Sequence, residues 1–174
     1  MRAYTIQPSG RERTFSENDI IVSKTDLQGR ITYANHLFLE IAGYTEEEVL
    51  GQPHNVIRHP DMPQCIFKLL WDTVGQGQEI FAYVKNMCKN GDHYWVFAHV
   101  TPTFNDDHAI IGYHSNRRVP ARDHVRLFEN IYQQLCSEER RHSDWRQGLE
   151  TAGQMLMRKI SEKNMTCAEF VFSV

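Results

Sequence analysis

The sequence predicts an α+β domain, in which a five-stranded antiparallel sheet carries helices on one face and is followed by a C-terminal helical extension. Three observations lead to this fold class. The turn signals "DLQG" and "KNGD" each lie between short runs of β-branched and aromatic residues, which is typical of hairpins. Between these two hairpins, three segments carry apolar residues at helical spacing. Beyond Pro120, a proline-free stretch with longer apolar stripes indicates further helix.

The chain begins with an arm, residues 1–18, which we expect to be flexible or loosely docked because Pro8 and Gly10 interrupt regular structure. The predicted sheet domain, residues 19–118, opens with the hairpin "DIIVSKTDLQGRITYAN". Apolar and polar residues alternate in its second half, "RITYA", as they do in a half-buried strand.

Three helices are predicted between the hairpins, each with a start signal. Asn35 caps "HLFLEIAGY", which ends at Gly43. Thr45 and Glu48 form a capping box for "TEEEVLG". Pro63 opens the third helix, "QCIFKLLWDTV", whose apolar residues lie on one side.

The rest of the chain supplies three strands and then helix. The segments "EIFAYVKNM", "HYWVFAHVTPTF" and "AIIGYHSNRRV" complete the sheet. Residues 121–164 form the predicted helical extension, and residues 165–174 form an apolar tail that docks on the domain or on a partner. A strict heptad would place Glu139 and His142 at core positions, so we expect two helices, or one with a polar break, rather than a long coiled coil.

Composition and charge exclude several classes of protein. The 174 residues are 41% hydrophobic and carry a net charge of −3, which argues against a nucleic-acid partner bound by phosphate neutralisation. No apolar run approaches the roughly 20 residues of a membrane span, and the N-terminus does not resemble a signal peptide. We therefore expect a cytoplasmic protein. Its four cysteines form no C-x-x-C pair.

Catalytic and metal-binding motifs are missing as well. The chain has no G-x-S-x-G, P-loop, G-x-G-x-x-G or H-E-x-x-H pattern, and we expect it not to be an enzyme. His54, His59 and Asp61 lie close in sequence but match no ligand spacing, so no metal is expected. His93 and His99 share one face of a strand, which we interpret as a solvated face.

The loop "GQPHNVIRHPDMP" is the segment that most suggests a binding site. Its three prolines restrict the backbone and hold the intervening side chains in a stiff wall. Arg58 presents a planar fork suited to phosphate, His59 can donate to phosphate or stack on a ring, and Asp61 can accept from a ribose hydroxyl. A local interpretation, in which Asp61 caps the next helix and pairs with Arg58, is equally compatible with these residues.

Three further side chains have two interpretations each. Phe67 and Trp71 on the third helix suit either an ordinary core or the wall of a flat cofactor site. Asn86 lies within a strand, where asparagine is disfavoured, and its amide offers both a donor and an acceptor. It suits the edge of a flavin ring, or it simply faces solvent near the hairpin end.

A family resemblance covers residues 15–118. The segment "DLQGRITYANHLFLEIAGYTEEEVLGQPHNVIRHPDMP", together with "KNGDHYWV", resembles the PAS sensor domains of bacterial aerotaxis receptors. The combination of "RHPDMP" and "KNGDHYW" is its most specific part. The resemblance implies FAD bound non-covalently as a redox or oxygen sensor. The chain lacks the "NCRFL" motif of LOV photoreceptors, so a light-driven cysteinyl adduct is not expected.

The resemblance also implies a set of cofactor-binding residues. Arg58, His59 and Asp61 are expected to approach the adenosine and phosphates, with His54 the weaker candidate in this loop. Trp71 and Asn86 are expected to neighbour the isoalloxazine ring. The full set that matches the family is Asn35, Arg58, His59, Asp61, Phe67, Trp71 and Asn86.

The expected partners are a second copy of the chain, in a homodimer, and a downstream signalling protein such as a chemoreceptor or kinase. Besides a flavin enzyme, which would need a substrate cavity beside the flavin, two alternative functions remain open from the sequence. One is a haem-binding PAS gas sensor that uses His59 or His54 as an axial ligand. The other is a cofactor-free PAS module that dimerises.

Overall fold

The computed structural model describes residues 6–173, so residues 1–5 of the predicted arm and Val174 of the predicted tail lie outside it. Within residues 6–173, five strands form one antiparallel sheet in the order β2-β1-β5-β4-β3. This arrangement confirms the predicted fold class. The strands are β1 Ile21–Thr25, β2 Ile31–Ala34, β3 Ile80–Met87, β4 His93–Phe104 and β5 Ile110–Arg118.

The helices follow the predicted order. Three helices and a 3₁₀ turn over His54–Ile57 separate β2 from β3, and three more helices follow β5. None of the helices described within residues 6–173 has the length and apolar character that crossing a membrane requires. The helices are α1 His36–Ala42, α2 Glu46–Val49, α3 Gln64–Gly75, α4 Arg122–Arg141, α5 Trp145–Ser161 and α6 Cys167–Phe172.

The first two helices have the predicted end signals. The side chain of Asn35 accepts the N–H of Phe38 at 3.1 Å, and Gly43 ends α1 in the left-handed conformation, with φ of 74°. At the start of α2, the Glu48 carboxylate accepts the Thr45 N–H at 3.0 Å. These local bonds orient both helices so that Phe38 and Val49 are buried in the core.

The face of the sheet opposite α1 and α3 is covered by the C-terminal helices α4 and α6. The ring of Tyr83 on β3 stacks on Phe128 of α4, with centroids 4.3 Å apart, and Phe97 on β4 meets Phe172 of α6 at 5.5 Å. The expectation of a solvated face for His93 and His99 is therefore wrong for His93, which is only 9% exposed. Aromatic side chains alternate outward along β3 and β4, and their apolar area favours a cover over water.

The described part of the N-terminal arm is docked on the β3–β4 hairpin. The N–H of Ser9 donates to the Gly91 carbonyl at 2.8 Å, and the N–H of Arg13 donates to the His93 carbonyl at 2.7 Å. The arm passes so close that a Cβ on Gly91 would lie 2.3 Å from the Gln7 carbonyl oxygen. These backbone bonds fix residues 7–13, so the flexible alternative does not hold for that segment.

The C-terminal extension folds back on the domain. A break at residues 142–144 separates α4 from α5, so two helices form rather than one. The carboxylate of Glu139 near the end of α4 accepts the N–H of Cys65 at the start of α3, at 2.8 Å. The division of the chain into a 19–118 domain and a 121–164 extension stays a prediction.

Candidate ligand-binding cavity

A cavity of about 370 Å³ lies between the sheet and the layer formed by α3 and the 3₁₀ turn. Its floor consists of side chains from β1, β3, β4 and β5, and its walls come from the "GQPHNVIRHPDMP" loop and α3. Leu149 of α5 also reaches it. The volume falls within the range of small-molecule sites. The polar, charged and aromatic residues of its lining include Ser23, Thr25, His54, Arg58, Phe67, Lys68, Trp71, Asn86, Ser115 and Arg117.

Four of the seven residues expected at a cofactor site line this cavity: Arg58, Phe67, Trp71 and Asn86. The guanidinium of Arg58 lies over the ring of Phe67, 4.3 Å from its centroid, and donates to the Met62 carbonyl at 3.2 Å. Trp71 is 38% exposed and therefore lies at the rim. Asn86 is buried on β3.

Asn35 does not reach the cavity because its side chain is used locally. Besides capping α1, its Oδ1 accepts the N–H of Val22 at 3.0 Å, and its Nδ2 donates to the Ile20 carbonyl at 2.8 Å. These bonds tie the start of α1 to β1. We therefore assign Asn35 a structural role and omit it from the proposed site.

His59 and Asp61 also lie outside the cavity lining. The chain turns at this point, with the N–H of Met62 bonded to the His59 carbonyl at 3.1 Å, and the turn directs both side chains towards β3, β4 and α4. Asp61 accepts a hydrogen bond from the buried Lys85 ammonium at 2.8 Å, and the ring of His59 meets that of His93 edge-on at 5.6 Å. The expected approach of His59 and Asp61 to a nucleotide is not what the geometry favours.

The electrostatics of this pair follow from its burial. Burial and the nearby Lys85 ammonium lower the pKa of His59 to about 4, so its ring is neutral at pH 7. The Nδ1 atom of His59 accepts the Asp61 N–H at 3.1 Å, which agrees with an unprotonated nitrogen. Although burial alone raises the pKa of Asp61, the hydrogen bond and charge of Lys85 hold it below its usual value.

Sequence reasoning missed a second polar group of the cavity. The Nη2 atom of Arg117 on β5 donates to the Ser23 hydroxyl at 2.9 Å and to the Nε2 atom of His54 at 2.8 Å. The Ser23 hydroxyl and the Nε2 atom of His54 are 3.1 Å apart. His54, the weaker candidate from the sequence, thus lines the cavity while His59 does not. The signal available was the period-2 pattern of "YHSNRR", which places Ser115 and Arg117 on one face.

Several polar atoms in this lining are buried without a hydrogen-bond partner among residues 6–173. They are Thr25 Oγ1, Asn86 Nδ2, Ser115 Oγ and Arg117 Nη1. Buried polar groups are normally satisfied, and leaving one unpaired costs about 1–3 kcal/mol. These atoms can therefore donate hydrogen bonds to, and accept them from, a ligand that has a polar edge. A flavin ring has such an edge beside its apolar part, so the residues present fit this group.

The charges of the cavity are one-sided. Among the described residues that line it there is no aspartate or glutamate, whereas Arg58, Lys68 and Arg117 are basic. Burial and the Arg117 charge lower the pKa of His54 to about 3, so His54 is neutral. Burial lowers the pKa of Arg117 to about 10, which leaves its guanidinium protonated at pH 7. The wall is therefore electropositive in a chain of net charge −3.

Neither metal coordination nor a cysteinyl adduct is suggested by the geometry. Within residues 6–173, no three His, Cys, Asp or Glu side chains are grouped so as to hold a metal ion. All four cysteines lie in the described part of the chain, and none lines the cavity. Burial raises the pKa of the Cys88 thiol to about 11, as expected for an inert structural cysteine.

Comparison with known proteins gives a family and a fold. A sequence profile of the family described as PAS fold matches residues 31–117. The chain is 42% identical over 120 residues to an aerotaxis receptor of Escherichia coli K12, covering 69% of this chain and 24% of the receptor. It is 31% identical over 104 residues to a nitrogen fixation regulatory protein of Klebsiella pneumoniae, covering 59% of this chain and 21% of that protein.

The chain thus spans about a quarter or less of the length of these two relatives. Among solved structures, the LOV domain of the blue-light photoreceptor Aureochrome1 in its dark state superposes with a TM-score of 0.58 at 19% identity. That likeness covers 63% of this chain and 82% of the photoreceptor domain, and it concerns the fold alone.

Proposed function

Because this chain belongs to the PAS-fold family, we propose that its cavity binds FAD non-covalently and that the domain passes a redox or oxygen signal to a partner protein. The named relatives are a receptor and a regulatory protein, which supports a role in signal transduction rather than catalysis. The resemblance of "RHPDMP" and "KNGDHYW" to aerotaxis receptors supports FAD as the flavin.

The buried Nδ2 atom of Asn86 is the observation that carries this proposal. Its Nδ2 atom is buried without a hydrogen bond among the described residues, at the edge of a cavity flanked by Phe67 and Trp71. A flat ring between these aromatic side chains would bury apolar area, and its polar edge would satisfy the amide. Electropositive groups elsewhere in the wall suit the phosphates of a nucleotide.

A bound flavin supplies a ring nitrogen that accepts a hydrogen bond when oxidised and donates one when reduced. The carboxamide of Asn86 can meet either condition, because rotation by 180° exchanges its Nδ2 donor for its Oδ1 acceptor. Asn86 would thus convert a chemical change into a small structural one.

Contacts between β3 and α4 support a route from Asn86 to the C-terminal helices. Its neighbours on β3 face outward and contact α4: the Tyr132 hydroxyl donates to the Tyr83 carbonyl at 2.6 Å, and the Lys85 ammonium lies 3.7 Å from the Glu129 carboxylate. A shift of β3 at Asn86 changes these contacts. We propose that α4 then presents an altered surface to a second copy of the chain or to a downstream chemoreceptor or kinase.

The absorbance spectrum of the purified chain tests the cofactor. We expect the paired blue and near-ultraviolet bands of an oxidised flavin, and FAD rather than FMN when the released cofactor is chromatographed. A Soret band would instead indicate haem, which the geometry disfavours because His54 Nε2 is already bonded to Arg117 and Ser23. No chromophore, and no uptake of added FAD, would contradict the proposal. Flavin reoxidation that depends on a second substrate would point to an enzyme.

A further inference from the structure

Arg117 is a buried cation in the cavity wall. Arg117 is 5% exposed, and no acidic side chain among residues 6–173 forms an ion pair with its guanidinium. Its described hydrogen bonds go to the Ser23 hydroxyl and to the neutral His54 ring. A buried charge that no opposite charge compensates is strongly disfavoured. The described residues therefore place no negative charge beside the Arg117 guanidinium.

The nearest candidates within the fold do not supply that charge. The Tyr94 hydroxyl is buried, and burial raises the pKa of this phenol, so it stays protonated and neutral. The Phe38 ring lies 5.9 Å from the guanidinium, and it offers only a weak cation–π contact. The described cavity wall contains no acidic side chain. Within the described part of the chain no group supplies the counter-charge, which leaves a molecule inside the cavity to provide it.

The guanidinium is also held in place and aimed. Alternation on β5 points Arg117 into the cavity and leaves the next residue, Arg118, exposed. Ser23 and His54 both hold the Nη2 atom, while the Nη1 atom is buried and without a partner among residues 6–173. A donor fixed in this way loses little entropy when it binds an anion.

We propose that Arg117, positioned by Ser23 and His54, is the anion-binding residue of this cavity, and that the bound molecule presents a negative charge to its Nη1 atom. This inference rests on the proposed function for the identity of that molecule, a flavin nucleotide. The negative charge then has two sources. One is a phosphate of the nucleotide. The other is the ring itself, which becomes a monoanion when a reductant supplies two electrons and solvent supplies one proton.

The test uses the full chain freed of cofactor, as wild type, Arg117→Gln and Arg117→Lys, with Arg118→Gln as the matched exposed control. The dissociation constants of riboflavin, FMN and FAD are measured by fluorescence, and the midpoint potential of the bound flavin is measured by reductive titration with dithionite. A hydrogen bond to a charged group contributes about 1.5–3 kcal/mol, or about 10- to 100-fold.

Each source of charge predicts a different result for Arg117→Gln. If a phosphate is bound, FMN and FAD bind about tenfold or more weakly while riboflavin is unaffected. If the reduced ring is bound, oxidised affinities change little and the midpoint potential falls, by about 30 mV for each tenfold loss of affinity for the two-electron reduced form. Arg117→Lys restores part of either effect, and Arg118→Gln behaves as wild type.

A wild-type measurement keeps the inference testable even if Arg117→Gln fails to fold. Reduction to an anionic ring takes up one proton per two electrons, so the potential changes by about 30 mV per pH unit, whereas a neutral reduced ring gives about twice that slope. Equal wild-type affinities for riboflavin, FMN and FAD, together with the steeper slope below pH 7, would overturn the inference. So would a folded Arg117→Gln variant whose affinities and potential match wild type. If wild type binds none of the three flavins, the proposed function itself fails.

Discussion

At the scale of single residues, burial decides which histidines of this chain stay neutral. His54 and His59 are separated by four residues in the same loop, and while His59 is buried and His54 half-buried, a different set of neighbours surrounds each ring. Arg117 approaches His54, and Lys85 approaches His59, so a proton on either ring would stand beside an existing positive charge. Neutral rings are the state that this packing selects.

His59 should make the stability of the fold sensitive to acid. Its pKa is about 4 in the folded chain and about 6.5 when unfolded, so between these values the unfolded state binds more protons. The contribution of His59 is therefore complete above pH 6.5 and is lost as the pH falls towards 4. In His59→Asn, which keeps an acceptor for the Asp61 N–H, urea unfolding should depend less on pH across this interval.

The same substitution at His36, which is exposed on α1, is the control and should leave the pH dependence as in wild type. Some pH dependence should survive in His59→Asn because His54 and His93 are also shifted downwards by burial. An unaltered profile in His59→Asn would show that the ring is not protected from protonation.

Asn86 provides the residue-scale test of the proposed switch. Asn86→Leu keeps the approximate size and removes the amide, so flavin affinity should fall about tenfold, given the ~1–3 kcal/mol of a buried hydrogen bond. Asn86→Asp should lower the midpoint potential because its negative charge opposes reduction. Both are measured by fluorescence titration and reductive titration, with exposed Asn130→Leu on α4 as control. Unchanged affinity and potential in both variants would remove Asn86 from the mechanism.

At the scale of elements, the extension depends on a close contact between α4 and α5. A Cβ added to Gly148 of α5 would lie 2.4 Å from the backbone oxygen of Glu139 on α4. The sequence suggested such an approach from Gly148, Ala152 and Gly153. The structure uses the first two, since Ala152 is fully buried, while Gly153 has no neighbour within 4 Å of an added Cβ.

Two glycine substitutions should therefore have opposite effects. Gly148→Ala should destabilise the chain by about 1–3 kcal/mol, because backbone must move to admit the methyl group. Gly153→Ala should be neutral or stabilise by up to about 1 kcal/mol through helix propensity. Urea unfolding of both variants measures the difference. A Gly148→Ala variant as stable as Gly153→Ala would mean that α5 does not pack on α4 in this way.

At the scale of the whole molecule, α4 and α6 cover what would otherwise be an exposed aromatic sheet face. The outward residues of β3 and β4 include Phe81, Tyr83, Trp95 and Phe97, and each contacts an aromatic residue of these helices. The cover lies on the opposite side of the sheet from the cavity. A ligand in the cavity and the helices α4 and α6 would therefore contact opposite faces of the sheet.

Shortening the chain should expose this face in two stages. A chain ending at Ser161 lacks α6, and a chain ending at Pro120 lacks all three C-terminal helices. Binding of a hydrophobic dye and self-association in size-exclusion chromatography should increase in that order, because contiguous apolar patches promote association. The full chain is the reference. Equal dye binding and equal size for all three chains would contradict the described cover.

Much of the fold was predictable because its signals are local. The hairpins, the Asn35 cap, the Gly43 stop and the proline start of α3 each depend on a few consecutive residues. The docking of the arm was not predictable in this way. The arm is held by backbone hydrogen bonds between residues 9–13 and residues 91–93, and no side-chain pattern in the sequence predicts such bonds.

The residues of the candidate site likewise fall into a group that is close in sequence and a group that only tertiary structure brings together. The sequence by itself determined that Arg58, Phe67 and Trp71 lie close together in the chain, in the proline-rich loop and α3, and the family resemblance predicted that they belong to one site. Only the tertiary structure decided that Ser23, His54 and Arg117 meet, because pairing of β1 with β5 joins positions more than 90 residues apart. The turn after His59 points the side chains of His59 and Asp61 away from the cavity. The direction of this turn depends on how the loop packs against β3 and α4.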